Sequence, residues 1–156
     1  MATLETHTVT VTIDAPLATV AADLADPTTH HLWATEFFAG PVRPGEPGEF
    51  VAPVPMMGGE VRHRIDADVE RGILDLYFAP SGAPFGPPIP VRLVPNGDGV
   101  DVLWTLARFP GVSDQAWQQG LASMTRELQA LKRRHEDKPH PEAPHTSQAG
   151  GQRRCP

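Results

Sequence analysis

DQAWQQGLASMTRELQALKRRHE, residues Asp114–Glu136, sets the terms on which the rest of the chain folds. Trp117, Leu121, Met124, Leu128 and Leu131 recur in it at alternating steps of four and three, which places them on one face of a helix. Ser113 stands before it as an N-cap, and Asp114 suits the positive end of the helix dipole. Lys132, Arg133 and Arg134 suit the negative end. At 1.5 Å per residue such a helix runs roughly 35 Å, so its apolar stripe needs a broad surface to lie on. Only about three heptads fit in it, and the strands that precede it supply an apolar face, so the stripe is read as a core face and cavity lid and not as a coiled-coil seam.

Thr8 to Asp14 alternates strictly, with Val9, Val11 and Ile13 on one face and threonines on the other, which predicts a half-buried strand. Asp14-Ala15-Pro16 marks a helix start, with Asp14 as the candidate cap. Leu17, Val20, Ala21 and Leu24 form the buried face of a short helix that Pro27 stops, and a second short helix or turn carries His30, His31, Leu32 and Trp33. From there the pattern is all strand. Glu49–Pro53 reads as an edge strand, with one more edge strand expected near Phe37–Val42, and Glu60–Asp68, Ile73–Ala79, Ile89–Val94 and Val100–Arg108 follow. Asn96-Gly97 is a strong hairpin signal between the last two. Antiparallel strands in series, with helices segregated to the ends, define an α+β domain.

Composition narrows the possible partners. The 156 residues make one domain, and the net charge of −6 argues against nucleic acid or an anionic membrane surface. No apolar run has the length of a membrane span, and Met1–Glu5 lacks the basic and apolar regions of a signal peptide, so a cytoplasmic location is expected. The single cysteine, Cys155, precludes an internal disulfide. Residues 138–156 carry no hydrophobic period and are rich in Pro, Gln, Gly and His, which predicts a disordered tail behind a folded domain over residues 6–137. Gly-x-Ser-x-Gly, Gly-Lys-Ser/Thr and His-Glu-x-x-His motifs are absent, and Gly97-Asp98-Gly99 lies in a hairpin with no helix after it. His30 and His31 are adjacent and so diverge, which makes them a poor chelating pair even with Glu36 nearby. Neither a metal nor a cofactor is expected. The exposed Thr, Arg and Asp face of the sheet carries no dimer signal.

Val11-Thr12-Ile13-Asp14-Ala15-Pro16, then Val20, Leu24, Asp26-Pro27 and Trp33, resemble the opening of the START-like, or SRPBCC, helix-grip superfamily. Gly72-Ile73-Leu74-Asp75 and Trp117–Leu131 resemble its mid-sheet strand and closing helix. The superfamily includes Bet v 1-type allergens, aromatic polyketide cyclases and lipid-transfer domains. The resemblance covers about residues 6–136 and implies a curved antiparallel sheet wrapped around the long C-terminal helix, with two short helices after the first strand. It also implies a cavity between sheet and helix that holds a small apolar molecule, aromatic or polyketide-type, with cofactor-independent cyclase/dehydrase-like acid–base chemistry as one outcome. A non-catalytic carrier or sensor, and a protein-interaction module of the co-chaperone type, are the alternatives.

Strand parity then nominates the site. His63 points inward among Val61, Ile65 and Ala67, making it the candidate general acid/base, or else a core histidine bonded to a carbonyl. Candidate ligand contacts are Trp33, Phe37, Met56, Ile65, Leu76, Phe78, Trp104, Arg108, Trp117, Leu121 and Met124. Arg108 qualifies because it continues the inward row of Trp104 and Leu106 toward a pocket mouth. The ligand is expected between Trp117 or Leu121 and the His63 strand. Asp75 and Tyr77 are placed outside with Arg64 and Arg92, where an Arg–Asp cross-strand pair is expected.

Overall fold

The computed structural model describes residues 2–137, and the expected disordered tail lies outside them. Strand β1 (Thr6–Ile13) leads through Pro16 into α1 (Leu17–Leu24) and a 3-10 helix at Pro27–Leu32. Strands β2 (Arg43–Pro44), β3 (Phe50–Val54), β4 (Gly59–Asp68), β5 (Ile73–Pro80), β6 (Ile89–Asn96) and β7 (Gly99–Ala107) follow, with a 3-10 turn at Pro55–Met57. Helix α2 (Asp114–Glu136) completes the described elements. All seven strands form one antiparallel sheet in the order β1-β7-β6-β5-β4-β3-β2. This is the expected α+β architecture, a curved sheet gripping a long C-terminal helix.

Alternation decides which side of the sheet is dry. Val9, Val11 and Ile13 of β1, Val61 and His63 of β4, Leu74 and Leu76 of β5, Val91 and Leu93 of β6, and Val100, Val102 and Trp104 of β7 are all buried. On the opposite face Arg92 pairs with Asp75 at 2.9 Å, and the Arg64 guanidinium lies 4.3 Å from the centre of the Tyr77 ring. The cross-strand Arg–Asp pair is therefore where parity put it. The β4–β5 turn depends on Gly72, which has φ +65°; a Cβ there would come within 2.5 Å of the Leu93 carbonyl oxygen.

Two local expectations need correction. Strand β3 is not the edge, because the two-residue β2 pairs outside it at Phe50 and Val51. Pro53 lies beyond that short ladder, where a residue without an N–H is tolerated. The start of α1 is not capped by Asp14; Pro16 occupies the cap with no side-chain bond. The Asp14 N–H instead donates to the Glu136 carboxylate at 2.8 Å, so this residue helps tie the end of α2 to β1.

Helix α2 is fastened at both ends. Ser113 Oγ accepts the Ala116 N–H at 3.1 Å, as its N-cap position predicts. At the far end Lys132 donates to the Thr12 carbonyl oxygen at 2.7 Å. Asp23 of α1 accepts from Arg134 at 2.9 and 3.1 Å and from His135 at 2.9 Å. Burial would raise the Asp23 carboxyl, but the bonds from His135 and Arg134 outweigh it and hold the group well below the usual carboxylate range. Removing one member of such a cluster strands the others, so Asp23→Ala is expected to destabilise the protein by about 3 kcal/mol, read as a lower midpoint in urea unfolding. An unchanged midpoint would show that the α1–α2 tie carries no weight.

Candidate functional site: a cavity under the C-terminal helix

Between the sheet and the first half of α2 lies a cavity of about 680 Å³. Its floor is Leu76 and Phe78 of β5, Ile89 of β6, and Trp104 and Leu106 of β7. One wall is the segment after the 3-10 helix, with Trp33, Ala34, Phe37 and Phe38, and Met56 stands at the lip with 74% of its surface exposed. The opposite wall is α2. The aromatic rings support one another edge to face, Trp33 on Trp104 at 5.8 Å and Phe37 on Phe78 at 5.1 Å between centroids.

The cavity lies about a quarter turn around α2 from the Trp117–Leu131 stripe. Ala116, Gly120, Ser123, Met124 and Glu127 face it, one to each turn or so of the helix. Of the stripe only Met124 belongs to both faces. A Cβ added at Gly120 meets nothing within 4 Å, so the small residues on this side leave the space open.

Seven of the nominated contacts border the cavity: Trp33, Phe37, Met56, Leu76, Phe78, Trp104 and Met124. Five nominated residues do not. Trp117 donates its indole N–H to Glu5 Oε1 at 3.1 Å and packs beside β1. Leu121 is spent on the core, and Ile65 is half-buried at the core margin. Arg108 is a fastener for the β7–α2 connection, donating to the Val112 carbonyl oxygen at 3.0 and 2.8 Å and pairing with Glu5 and Asp114. His63 points inward as parity requires, but Phe78 covers it, with the two rings stacked 4.2 Å apart and 5° from parallel.

His63 is joined to a second buried histidine that parity of strands could not flag, since His30 lies in the 3-10 helix. His30 Nε2 is 2.8 Å from the Leu24 carbonyl oxygen, His63 Nδ1 is 3.1 Å from the Tyr77 carbonyl oxygen, and His30 Nδ1 and His63 Nε2 face each other at 3.4 Å. Carbonyls only accept, so each ring must turn its N–H outward to its carbonyl. Three contacts then compete for the two hydrogens of two neutral rings, and the central N···N contact has none. Burial pushes His30 down to about 4 and, with the neighbouring His30, His63 down to about 3, so both rings are neutral at pH 7. Although His30 borders the cavity, neither of its nitrogens is free for a ligand.

The cavity lining instead includes the polar side chains of Glu36, Gln119, Ser123, Arg126 and Glu127. Glu127 is 5% exposed, and its Oε1 accepts the backbone N–H groups of Glu36 at 2.9 Å and Phe37 at 2.7 Å, pinning the aromatic wall to α2. Among the described residues no hydrogen bond reaches Oε2, and burial pushes the carboxyl pKa up. The indole Nε1 of Trp33 is buried without a partner among the described residues. Glu127 was not nominated from sequence, and Trp33 was nominated as a contact without a role for its N–H. Glu127 follows Met124 by three residues on α2, a spacing that would have placed it one turn along the same side.

Comparison with solved structures bears on the fold. The chain is similar to a START superfamily protein from Mycobacterium smegmatis at TM-score 0.61 and 16% identity, over 85% of this chain and 97% of the other. It is equally similar to Ara h 8.0201, at TM-score 0.61 and 14% identity over 87% and 100%. The chain has the helix-grip fold. A third helix-grip structure, the Aha1 dimer from Colwellia psychrerythraea, matches at TM-score 0.61 and 15% identity over 85% and 97%. No family model matches the sequence, and no curated protein matches it. Within this helix-grip chain, no helix among the described residues is long and apolar enough to cross a membrane.

The histidine pair makes stability depend on pH in a defined direction. Folded pKa values of about 4 and about 3 lie below the ordinary 6.5, so the unfolded chain binds more protons between about pH 6.5 and 3. Stability is therefore complete above that window and lost as pH falls through it. The thermal midpoint should drop steadily from pH 7 to 4.5, and His63→Phe should make that limb shallower. A wild-type midpoint that stays level over the range would contradict a neutral buried pair.

Proposed function

We propose that the chain binds a small, largely apolar, ring-containing molecule in the cavity between the sheet and α2. The observation that carries this is the unfilled volume of about 680 Å³, walled by Trp33, Phe37, Phe38, Phe78 and Trp104 with few polar groups among them. Its size falls within the usual range for small-molecule sites, and convergent polar atoms in an apolar wall are what fix a ligand's orientation. An open cavity supports ligand binding over a protein-interaction module, which has no use for the space.

Cyclase/dehydrase-like chemistry needs an acid–base atom open to the ligand. The nitrogens of His30 and His63 are committed to each other and to carbonyls, whereas Glu127 Oε2 carries no hydrogen bond among the described residues. With Glu36 paired to Arg126 and His30 engaged, Glu127 has no open acid–base partner in the cavity lining among the described residues, which supports binding more strongly than turnover, as in the carrier or sensor alternative.

Gly120 provides the test. Gly120→Ala should raise stability by up to about 1 kcal/mol, through helix propensity, and leave binding intact. Gly120→Phe should fold but place its ring in the cavity. With the neutral fluorophore N-phenyl-1-naphthylamine, the wild type and Gly120→Ala should bind and brighten the dye, and Gly120→Phe should lose at least about tenfold in affinity, the scale of one excluded ring face. Equal binding by a folded Gly120→Phe variant, or no binding by the wild type, would overturn the proposal.

A further inference from the structure

Charge balance around the cavity is uneven in a way that the apolar walls do not require. Of the titratable groups that border it, Glu36 and Arg126 form a two-pronged pair at the rim, 2.9 and 2.6 Å apart, and cancel. His30 is neutral, with both nitrogens turned to other partners. That leaves Glu127, a buried carboxylate without a cation of its own, held by two backbone N–H groups that both point at the same oxygen. Its other oxygen is unbonded among the described residues. That oxygen keeps accessible surface on a residue that lines the cavity, so a donor inside the cavity can reach it.

We infer that Glu127 is the charge anchor of the cavity and that the ligand is an apolar amine, bound as its ammonium ion with an N–H donating to Glu127 Oε2. The inference rests on the binding role proposed above and narrows it to a ligand class. Four features agree on the sign. A cation compensates the buried carboxylate, whereas an anion meets like charge. An N–H donor satisfies the oxygen that lacks one. The rings of Trp33, Phe37, Phe38, Phe78 and Trp104 line the space, and a desolvated ammonium gains from an aromatic neighbour. Burial already raises the pKa of Glu127, the cost that an arriving cation would relieve. A neutral alcohol could reach the same oxygen but would supply a weaker bond and no charge.

Three probes of one shape separate these cases: 1-naphthylmethylamine, 1-naphthylmethanol and 1-naphthoic acid, titrated calorimetrically at pH 7.5. The amine should bind at least about tenfold more tightly than the alcohol, and the acid most weakly, since a charge-assisted bond is about twice as strong as a neutral one. Glu127→Gln keeps an Oε1 to accept the Glu36 and Phe37 N–H groups while removing the charge. In this variant the amine and the alcohol should converge to within about threefold. A second measurement needs no variant: above the amine's own pKa, its advantage over the alcohol in the wild type should vanish. Alcohol or acid binding as tightly as the amine would overturn the inference and leave the binding proposal standing. So would an amine advantage that survives either Glu127→Gln or the loss of the ligand's charge. Failure of all three probes to bind would remove the binding proposal, and this inference with it.

Discussion

Burying Trp117, Met124, Leu128 and Leu131 at once requires α2 to run beside β1, where the apolar rows of the sheet are complementary to it. A sheet twists and a helix of 23 residues bends little, so contact made along one line is not made everywhere. Where the helix turns its other side toward β5, β6 and β7, it presents Ala116, Gly120 and Ser123, which are too small to fill the gap. The cavity is thus the remainder of a packing problem, and its place follows from which helical stripe is large and which is small. A bulky side chain at Gly120 would close the gap without disturbing the stripe that holds the helix down.

The polar interactions keep that remainder from collapsing. Arg108, Glu5 and Asp114 fix the start of α2, and Lys132, Arg134 and His135 fix its end on β1 and α1. Glu127 holds the aromatic wall at the middle through the N–H groups of Glu36 and Phe37. Pinned at three places, the helix cannot settle onto the sheet floor, and the rings opposite it are braced by edge-to-face contacts. A preformed, apolar space costs a ligand little reorganisation on entry.

Much of the fold was legible in the residues because it depends on periodicity. The alternation of β1, β4, β5 and β7 and the stripe of α2 gave the sheet faces, the covering helix and the Asn96-Gly97 hairpin, where Asn96 indeed pairs with Gly99. Pairing at the far edge was less legible: β2 is two residues long, and nothing in Arg43-Pro44 announces a strand. The cavity was half legible. Inward parity identified Leu76, Phe78 and Trp104, but the same rule nominated His63, since parity says which face a side chain takes and not what lies over it. Trp117 and Leu121 were misplaced for a related reason. The large residues of the stripe pack on the core and β1, and the small residues a quarter turn away make the space. Glu127 and Trp33 Nε1 are visible only as an unbonded oxygen and an unpartnered N–H, which are properties of three-dimensional surroundings.

The order of the strands has a consequence for how the molecule comes into being. β1 pairs with β7 alone, Thr6 opposite Ala107 and Ile13 opposite Val100, so the first strand made must wait for the last. The helix that covers β1 comes later still, and Thr12, Asp14 and Asp23 reach their partners across more than a hundred residues of chain. Contacts of such sequence separation slow folding, because the loop must close before any of them is gained. During synthesis β1 and α1 emerge with their apolar faces bare and stay so until α2 leaves the ribosome, an interval in which the alternating valines and threonines of β1 are an unpaired strand edge open to other chains.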